Sequence, residues 1–346
     1  MSEVLLERLD EVYAIGGGVG ANRVGYTAEE DEAHALATQW MTDAGLDVTV
    51  DPDGNLLGRL PGLEPGLPEV WSGSHLDSVP TGGRFDGPLG VLAALEAVTR
   101  LGRRRRTLAV VSFRDEERGC AGSRARVARG NLPGAYLEMH HEQGPRLASL
   151  DAPLGIATGI VGYKRAERVV EGRPGHAGTT PMENREDAVV HAASEILRVR
   201  DVALSIPGAV ATVGKIEVEP GAANVIAALV RFTIDARAPD EEGLALLLER
   251  LGIDATGATP PVAFAGQAVD ALRQAVQVRG LPAAELSSGA GHDAGVLARA
   301  DVDAAMLFVR AGNGGVSHSP DETCAPEDVA VAVDVLTDAL AALADA

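Results

Sequence analysis

Apolar and polar positions along this chain follow two alternating rhythms, one with helical and one with strand spacing. Between residues 28 and 44, Ala33, Leu36, Ala37, Trp40 and Met41 recur at helical spacing, and Thr27 with Glu30 predicts a capping box at the start. Gly45 closes that helix. Strand-like runs follow at residues 46–50 and 56–60 across the turn Asp51-Pro-Asp-Gly54, and another apolar strand runs from Glu69 to His75. Residues 87–101 read as a helix, and 107–113 and 135–141 as strands. Strands alternating with helices predict an α/β fold around a mixed or parallel sheet, with any active site at the strand carboxyl ends.

The texture changes between about residue 157 and about residue 257. Residues 210–218 and 224–235 read as paired strands, and 185–200 and 241–251 as helices, an order that predicts a small α+β sandwich inserted into the first domain. A helix at 269–278, a loop at 287–292, a strand at 304–309 and a helix at 326–343 then resume the α/β pattern. The expectation is a discontinuous catalytic domain formed by residues 1–156 and 262–346, with residues 157–261 as a lid.

A length of 346 residues suits two domains with ample cores. Hydrophobic residues make up 46% of the chain and aromatic residues 3%, so packing rests on Ala, Val, Leu and Ile. The formal charge of −20, with Lys164 and Lys215 as the only lysines, argues against nucleic acid or an anionic membrane as partner. Arg103-Arg-Arg-Arg106 interrupts this acidity but reads as a solvated connecting loop between a helix and a strand. Cys120 and Cys324 form no metal or redox motif, which suggests a reducing compartment. The first residues have no signal-peptide pattern, and no run approaches ~18 consecutive apolar residues, so a cytoplasmic location is expected.

Four polar segments at strand ends carry candidate chemistry. In Gly73-Ser-His-Leu-Asp-Ser-Val-Pro-Thr-Gly-Gly-Arg-Phe-Asp-Gly87, alternation puts Asp77 on the same side as His75, where it can fix the imidazole tautomer and raise its basicity toward a metal. Asp86 arrives through a glycine-rich turn. In Phe113-Arg-Asp-Glu-Glu-Arg-Gly119 the adjacent glutamates would face opposite ways on an extended chain, so both serve one site only if the strand has already broken. A metal hydrolase uses such a pair with one carboxylate on metal and its neighbour taking a proton from water, which assigns Glu117 as ligand and Glu116 as general base. Glu138-Met-His-His-Glu-Gln-Gly-Pro145 ends a strand in two histidines, of which one can face the site. In Val316-Ser-His-Ser-Pro-Asp-Glu322, His318 follows a further strand. Together His75, Asp86, Glu117, His140 and His318 form a nitrogen and oxygen donor set for a pair of divalent ions.

These strings, with Gly83-Arg-Phe-Asp-Gly-Pro-Leu-Gly90, His176-Ala-Gly-Thr-Thr-Pro-Met182, Gly289-Ala-Gly-His-Asp-Ala294 and Ser317-His-Ser-Pro320, run in one order over nearly the whole chain. In that order they resemble the hydantoinase/carbamoylase-type amidohydrolases of the M20 metallopeptidase superfamily. That group includes N-carbamoyl-L-amino-acid hydrolases, β-ureidopropionases and allantoate amidohydrolases. The resemblance implies a phosphorylase/hydrolase-like catalytic domain with a mixed central sheet and a ferredoxin-like lid that also dimerises. It implies that Asp86 bridges two metals, that His75 and His318 are terminal ligands, and that Glu117 and His140 complete the set. An apolar residue normally follows the ligand in the histidine motif, so His140 matches and His141 stands at the apolar position.

On the lid, His176, Asn224 and Arg237 match positions that in relatives hold a substrate carboxylate and polarise the scissile carbonyl. A guanidinium suits the first task and a neutral imidazole or amide the second. Gln143, His292 and Asp293 are expected to line the pocket. The implied reaction has a water bridged between two ions, deprotonated by Glu116, attack a carbamoyl, ureido or amidine carbon of a small anionic substrate. Zinc is the first expectation for the metal, with manganese, cobalt and nickel equally compatible with the donors. Three further expectations are a homodimer through the lid, a non-proline cis peptide at Asp86, and a pocket altered by shortened stretches after Glu117 and after Leu251. A dipeptidase or N-acyl-amino-acid deacylase of the same superfamily remains the rival enzyme, and an inactive metal-binding scaffold the rival of another class.

Overall fold

In the computed structural model, which describes residues 3–346, the chain divides into two compact units. One extends to Ile160 and resumes at Ala263, and the other is Val161–Val262. In chain order the first unit carries β1 (Asp47–Val50), β2 (Leu56–Leu60), β3 (Val70–His75), β4 (Leu108–Phe113), β5 (Ala135–His141) and β6 (Leu154–Ile160). The second carries β7 (Gly162–Glu171), β8 (Gly175–His176), β9 (Val210–Glu219), β10 (Val225–Ile226) and β11 (Leu229–Ala238). β12 (Val262–Ala263) lies at the return, and β13 (Ala283–Ser288) and β14 (Asp303–Val309) follow.

Among the described residues the main sheet has the order β1-β2-β4-β3-β5-β14-β6-β12, with β13 also paired to β6. It is mixed: β1 to β2, β2 to β4 and β14 to β6 are antiparallel, whereas β4, β3, β5 and β14 are mutually parallel neighbours. The carboxyl ends of those four strands therefore share one edge. β3, β4 and β5 are buried along their whole length, which is why they read as near-continuous apolar runs. The helix Pro88–Leu101 packs on β3, β4 and β5. It comes so close that a Cβ on Gly90 would lie 2.4 Å from the Met139 carbonyl oxygen and 2.7 Å from Ser74 Cβ.

Several local expectations change. The helix Ala28–Asp43 starts after Thr27, but the Thr27 side chain makes no capping bond. Glu30 is fully buried instead, accepting from the Tyr26 and Asp115 amides at 2.5 and 3.0 Å and pairing with Arg114 at 2.7 Å. The capping box fails because the chain beyond β4 claims that carboxylate. Arg103–Arg106 is also more than a solvated loop: Arg103 donates to the Pro61 and Gly62 carbonyls, Arg104 pairs with Asp345, and Arg105 reaches Glu64 and the Ala346 carbonyl. The run read as one strand over 224–235 is two, β10 and β11. Helices Glu3–Ala14, Ala121–Arg129 and Asp293–Ala298 and strands β6, β7 and β13 were not legible from periodicity.

In the second unit β7, β11 and β9 form an antiparallel sheet, and β11 alternates half-buried and buried residues along its whole length. Its buried face, with Phe232, Ile234 and Ala236, meets Ala192 and Val199 of helix Ala188–Leu204 and Leu244, Leu247 and Leu251 of helix Glu241–Leu251. On the other side of β7, Tyr163 and Thr259 exchange backbone hydrogen bonds of 2.9 Å, where a ferredoxin-like fold would run its fourth strand.

The close approach at Gly90 generates a stability test. Alanine is the better helix former by about 1 kcal/mol, yet Gly90→Ala should lower stability by about 1–3 kcal/mol because its methyl meets backbone. A denaturation midpoint unchanged or raised in that variant would show that the helix has room to move away.

Candidate active site

Each candidate ligand leaves the end of one of the four parallel strands. His75 is the last residue of β3, and His140 the penultimate residue of β5. β4 ends at Phe113, and Asp115 then adopts a left-handed φ of 51°, which breaks the alternation and lets Glu116 and Glu117 turn toward the same region. His318, on the loop after β14, is also left-handed, at φ 54°. The expected cis peptide at Asp86 is absent. Among the described residues the only cis bond joins Glu219 to Pro220, so Asp86–Gly87 is trans. The reversal is made by Gly87 at φ 83°, and a Cβ there would lie 2.5 Å from the His75 ring.

The donors fall into two groups that share one residue. His75, Asp86 and His140 form one and Asp86, Glu117 and His318 the other, each with ligand atoms within 4.8 Å of one another. Asp86 divides its oxygens between them. Its Oδ1 lies 3.1 Å from His140 Nε2 and 3.9 Å from His75 Nε2, while Oδ2 lies 3.2 Å from His318 Nε2. Glu117 Oε2 is 3.4 Å from the same His318 nitrogen.

The other ring nitrogens fix the tautomers. His140 Nδ1 donates to the His141 carbonyl at 2.9 Å, and His75 Nδ1 lies 3.2 Å from both the Asp77 carbonyl and Oδ1. That leaves Nε2 of each ring free for a cation. His75 Nε2, His140 Nε2 and Glu117 Oε1 are all buried without a hydrogen-bond partner, an expensive arrangement unless a cation takes their lone pairs. The residues fit divalent metal ions at both groups.

Asp77 does more than brace His75. Its two oxygens also accept from the Glu116 and Glu117 amides at 3.1 and 3.2 Å, tying both glutamates to the histidine of the other donor group. Burial works against a charged His75, but Glu116, Asp77 and Asp86 outweigh it and raise its pKa well above the usual range. Burial, reinforced by Asp86, pushes Glu117 up to about 7. The hydrogen bond from His318 to Asp86 lifts that imidazole to about 9. Glu116 belongs to neither donor group, and burial with the fields of Asp293, Glu117 and Asp77 drives its carboxyl well above the normal range, against the pull of His75.

His292 lies beside His140 and Glu116, its ring centroid 4.5 Å from that of His140 and its Nδ1 3.9 Å from Glu116 Oε1. Burial and the neighbouring His140 hold it well below the usual imidazole range. Gln143 Nε2 donates to Asp86 Oδ2 at 3.2 Å and to Ser317 Oγ at 3.3 Å, so it is bonded to the shared carboxylate itself. Asp293 is fully buried, and burial followed by Glu138 raises it to about 8.

Sequence reasoning missed three supports. Glu138 accepts from Ser74 Oγ and the Ala294 amide, both at 2.8 Å, behind the histidines. Alternation could have found it, since residues 138 and 140 share a face of β5. Glu322 accepts from the Phe85 and Asp86 amides, for which no spacing rule gives a signal. Arg23, fully buried, donates to the Leu76 and Val12 carbonyls just behind the His75 segment.

In the second unit, β10 pairs with β8 so that Val225 opposes His176, and the Asn224 carbonyl accepts from the Ala177 amide at 3.0 Å. His176 and Asn224 are thus neighbours, both exposed. Arg237 lies near the far end of β11, opposite Tyr163, where Asp235 accepts from its Nε and Nη2 at 2.7 and 3.1 Å.

Sharing of Asp86 predicts unequal losses. Asp86→Ala should weaken two bound ions together, whereas His75→Ala should chiefly weaken one. Metal titration of chelated protein reads this directly, and two independent losses in Asp86→Ala and His75→Ala alike would refute the shared role.

Comparison with known proteins identifies the family. The model of peptidase family M20/M25/M40 matches residues 71–342. The N-carbamoyl-L-amino acid amidohydrolase of Geobacillus stearothermophilus is 36% identical, over 96% of this chain and 96% of its own length. The allantoate amidohydrolase of Bacillus subtilis (strain 168) is 32% identical, over 96% of this chain and 95% of its own. These alignments extend over 398 and 396 positions, more than the 346 residues of this chain, so they contain stretches that it lacks. The crystal structure of a hydantoinase/carbamoylase family amidase from Burkholderia multivorans matches with a TM-score of 0.91 at 31% identity, covering 99% of this chain and 97% of that one. The four-strand site and the similarity along the whole chain together show that this protein belongs to peptidase family M20/M25/M40, among its amidohydrolases of the hydantoinase/carbamoylase type.

Proposed function

We propose that this protein is a metal-dependent amidohydrolase that cleaves a non-peptide C–N bond of an N-carbamoyl-L-amino acid or of a ureido acid such as allantoate. The observation that carries the reading is the pair of donor groups joined at Asp86, with the Glu116 carboxylate 3.8 Å from His75 Nε2 and part of neither group. The names of the relatives supply the substrate class. Two divalent ions, zinc in the first instance, would polarise the scissile carbonyl and acidify an attacking water.

The chain's own residues do the rest. Glu116 takes the proton from the water and returns it to the leaving nitrogen. Asp77 holds Glu116 and His75 in register through its amide and imidazole bonds. Arg237, its guanidinium oriented by Asp235, grips the substrate carboxylate in a two-point fork, and His176 and Asn224 donate to the developing oxyanion. Gln143 and His292 border the reacting group.

A second copy of the chain is part of this proposal. His176 and Asn224 flank one end of the β7–β11 ladder and Arg237 stands at the other, so β11 alone separates them by roughly 27 Å at strand rise. One small substrate cannot touch both ends. β9 is an edge strand of this sheet and exposes Val210, Ile216 and Val218, a surface suited to a partner lid. The homodimer then supplies His176 and Asn224 from one protomer and Arg237 from the other.

The reaction is tested with a panel of allantoate, ureidoglycolate, 3-ureidopropionate and N-carbamoyl-L-amino acids, beside dipeptides and N-acyl-amino acids, with each metal added to chelated protein. Release of ammonia or amino acid from the first group is expected, and turnover confined to the second would move the protein to the peptidase or deacylase branch. Glu116→Gln should keep its metal and lose nearly all turnover, and undiminished hydrolysis would remove Glu116 from the base role. For the dimer, co-refolding His176→Ala with Arg237→Ala should restore activity that neither parent has. Complete inactivity of the mixture would place both residues on one protomer's site.

A further inference from the structure

Glu322 is explained neither by the donor set nor by the base. It lies four residues beyond His318 and is 4% exposed. Its Oε1 accepts from the Phe85 and Asp86 amides at 2.7 and 2.9 Å. Its Oε2 accepts from Ser317 Oγ at 3.2 Å and lies 3.1 Å from His141 Nε2. A carboxylate offers about four lone-pair sites, and these partners occupy them. The partners come from three separate segments, which carry Asp86, His140 and His318. We propose that Glu322 is a positioning residue that sets the shared Asp86 against His140 and His318, so that both donor groups depend on it.

Two features of the chain fit a carboxylate held at this point. A Cβ on Gly83 would lie 2.1–2.3 Å from the Glu322 carboxyl group, so the segment leading to Asp86 leaves room for that group by having no side chain. His141 occupies a position expected to be apolar and there places a ring nitrogen on the carboxylate. Buried hydrogen-bond partners of this kind fix the orientation of a ligand more than they add binding energy of their own. Gln143 adds a further link, since its amide bonds both Asp86 Oδ2 and Ser317 Oγ.

The inference rests on the two-ion reading above, and the experiment separates the two. Zinc is titrated into chelated full-length protein by calorimetry, and each metal-free variant is also melted. Glu322→Ala should weaken both ions by about tenfold or more. Glu322→Gln keeps an oxygen for the two amides and should stay near the unaltered protein. Gly83→Ala leaves Glu322 in place but displaces its carboxylate, and should reproduce the loss while the metal-free melting point shows the chain still folded. Unaltered protein that binds fewer than two ions overturns the two-ion reading itself. Two ions held normally by Glu322→Ala and Gly83→Ala overturn the positioning role, as does loss of one ion only. Equal losses in Glu322→Ala and Glu322→Gln also overturn it, because charge rather than hydrogen bonding would then be responsible. Should Glu322→Ala fail to fold, Gly83→Ala and Glu322→Gln decide the question between them.

Discussion

Mutual repulsion among carboxylates is the constraint on which this structure depends. Asp77, Asp86, Glu116, Glu138, Asp293 and Glu322 are all buried, and Glu117 nearly so, around a single strand edge. Like charges at such range and in such low polarity are costly unless each is protonated, hydrogen-bonded or matched by a cation. The chain uses all three remedies. Asp77 and Glu322 each take two backbone amides, Glu138 takes an amide and a hydroxyl, and burial shifts Glu116 and Asp293 toward their neutral forms. Arg23, buried beside them, is lowered by burial to about 10 and so keeps its charge at neutral pH, partly upheld by Asp77 and Asp86.

The fold is arranged to make those remedies available. Four parallel neighbours end together, and strand ends leave amides without ladder partners, which the carboxylates then take up. The left-handed turn at Asp115 depends on this supply, because it points the next two amides at Asp77. Gly25 belongs to the same arrangement. A Cβ there would lie 1.9 Å from Asp115 Oδ1, so the loop before helix Ala28–Asp43 carries no side chain where that turn presses against it. Placement of Glu116 and Glu117 thus reaches back to a glycine some ninety residues earlier in the chain, as the hydrogen bond from Arg118 to the Gly25 carbonyl also shows.

Much of this was legible in the sequence, for definite reasons. Buried parallel strands are apolar runs, so β3, β4, β5 and β14 and the polar residues that end them stood out, and with them the donors on their carboxyl edge. The helix Glu241–Leu251, amphipathic and closed by Gly252, was equally plain. What failed depended on contacts between distant segments. Glu30 fits a capping box by spacing, yet the Asp115 turn takes its carboxylate. The arginine run looked solvated, yet it fastens residues 344–346 and the 61–64 loop. Which histidines fall in one donor group also lay beyond spacing alone, because the division follows strand order, β3 beside β5, and that order is not written in the order of the chain.

The crowding of acids around Asp86 has a consequence for protons as well as for charge. Burial and neighbouring charges favour the protonated forms of Glu116 and Asp293, and the surrounding carboxylates favour protonated His75 and His318. A cation taken up by these donors would have to displace protons from them, so its hold would weaken as the pH falls.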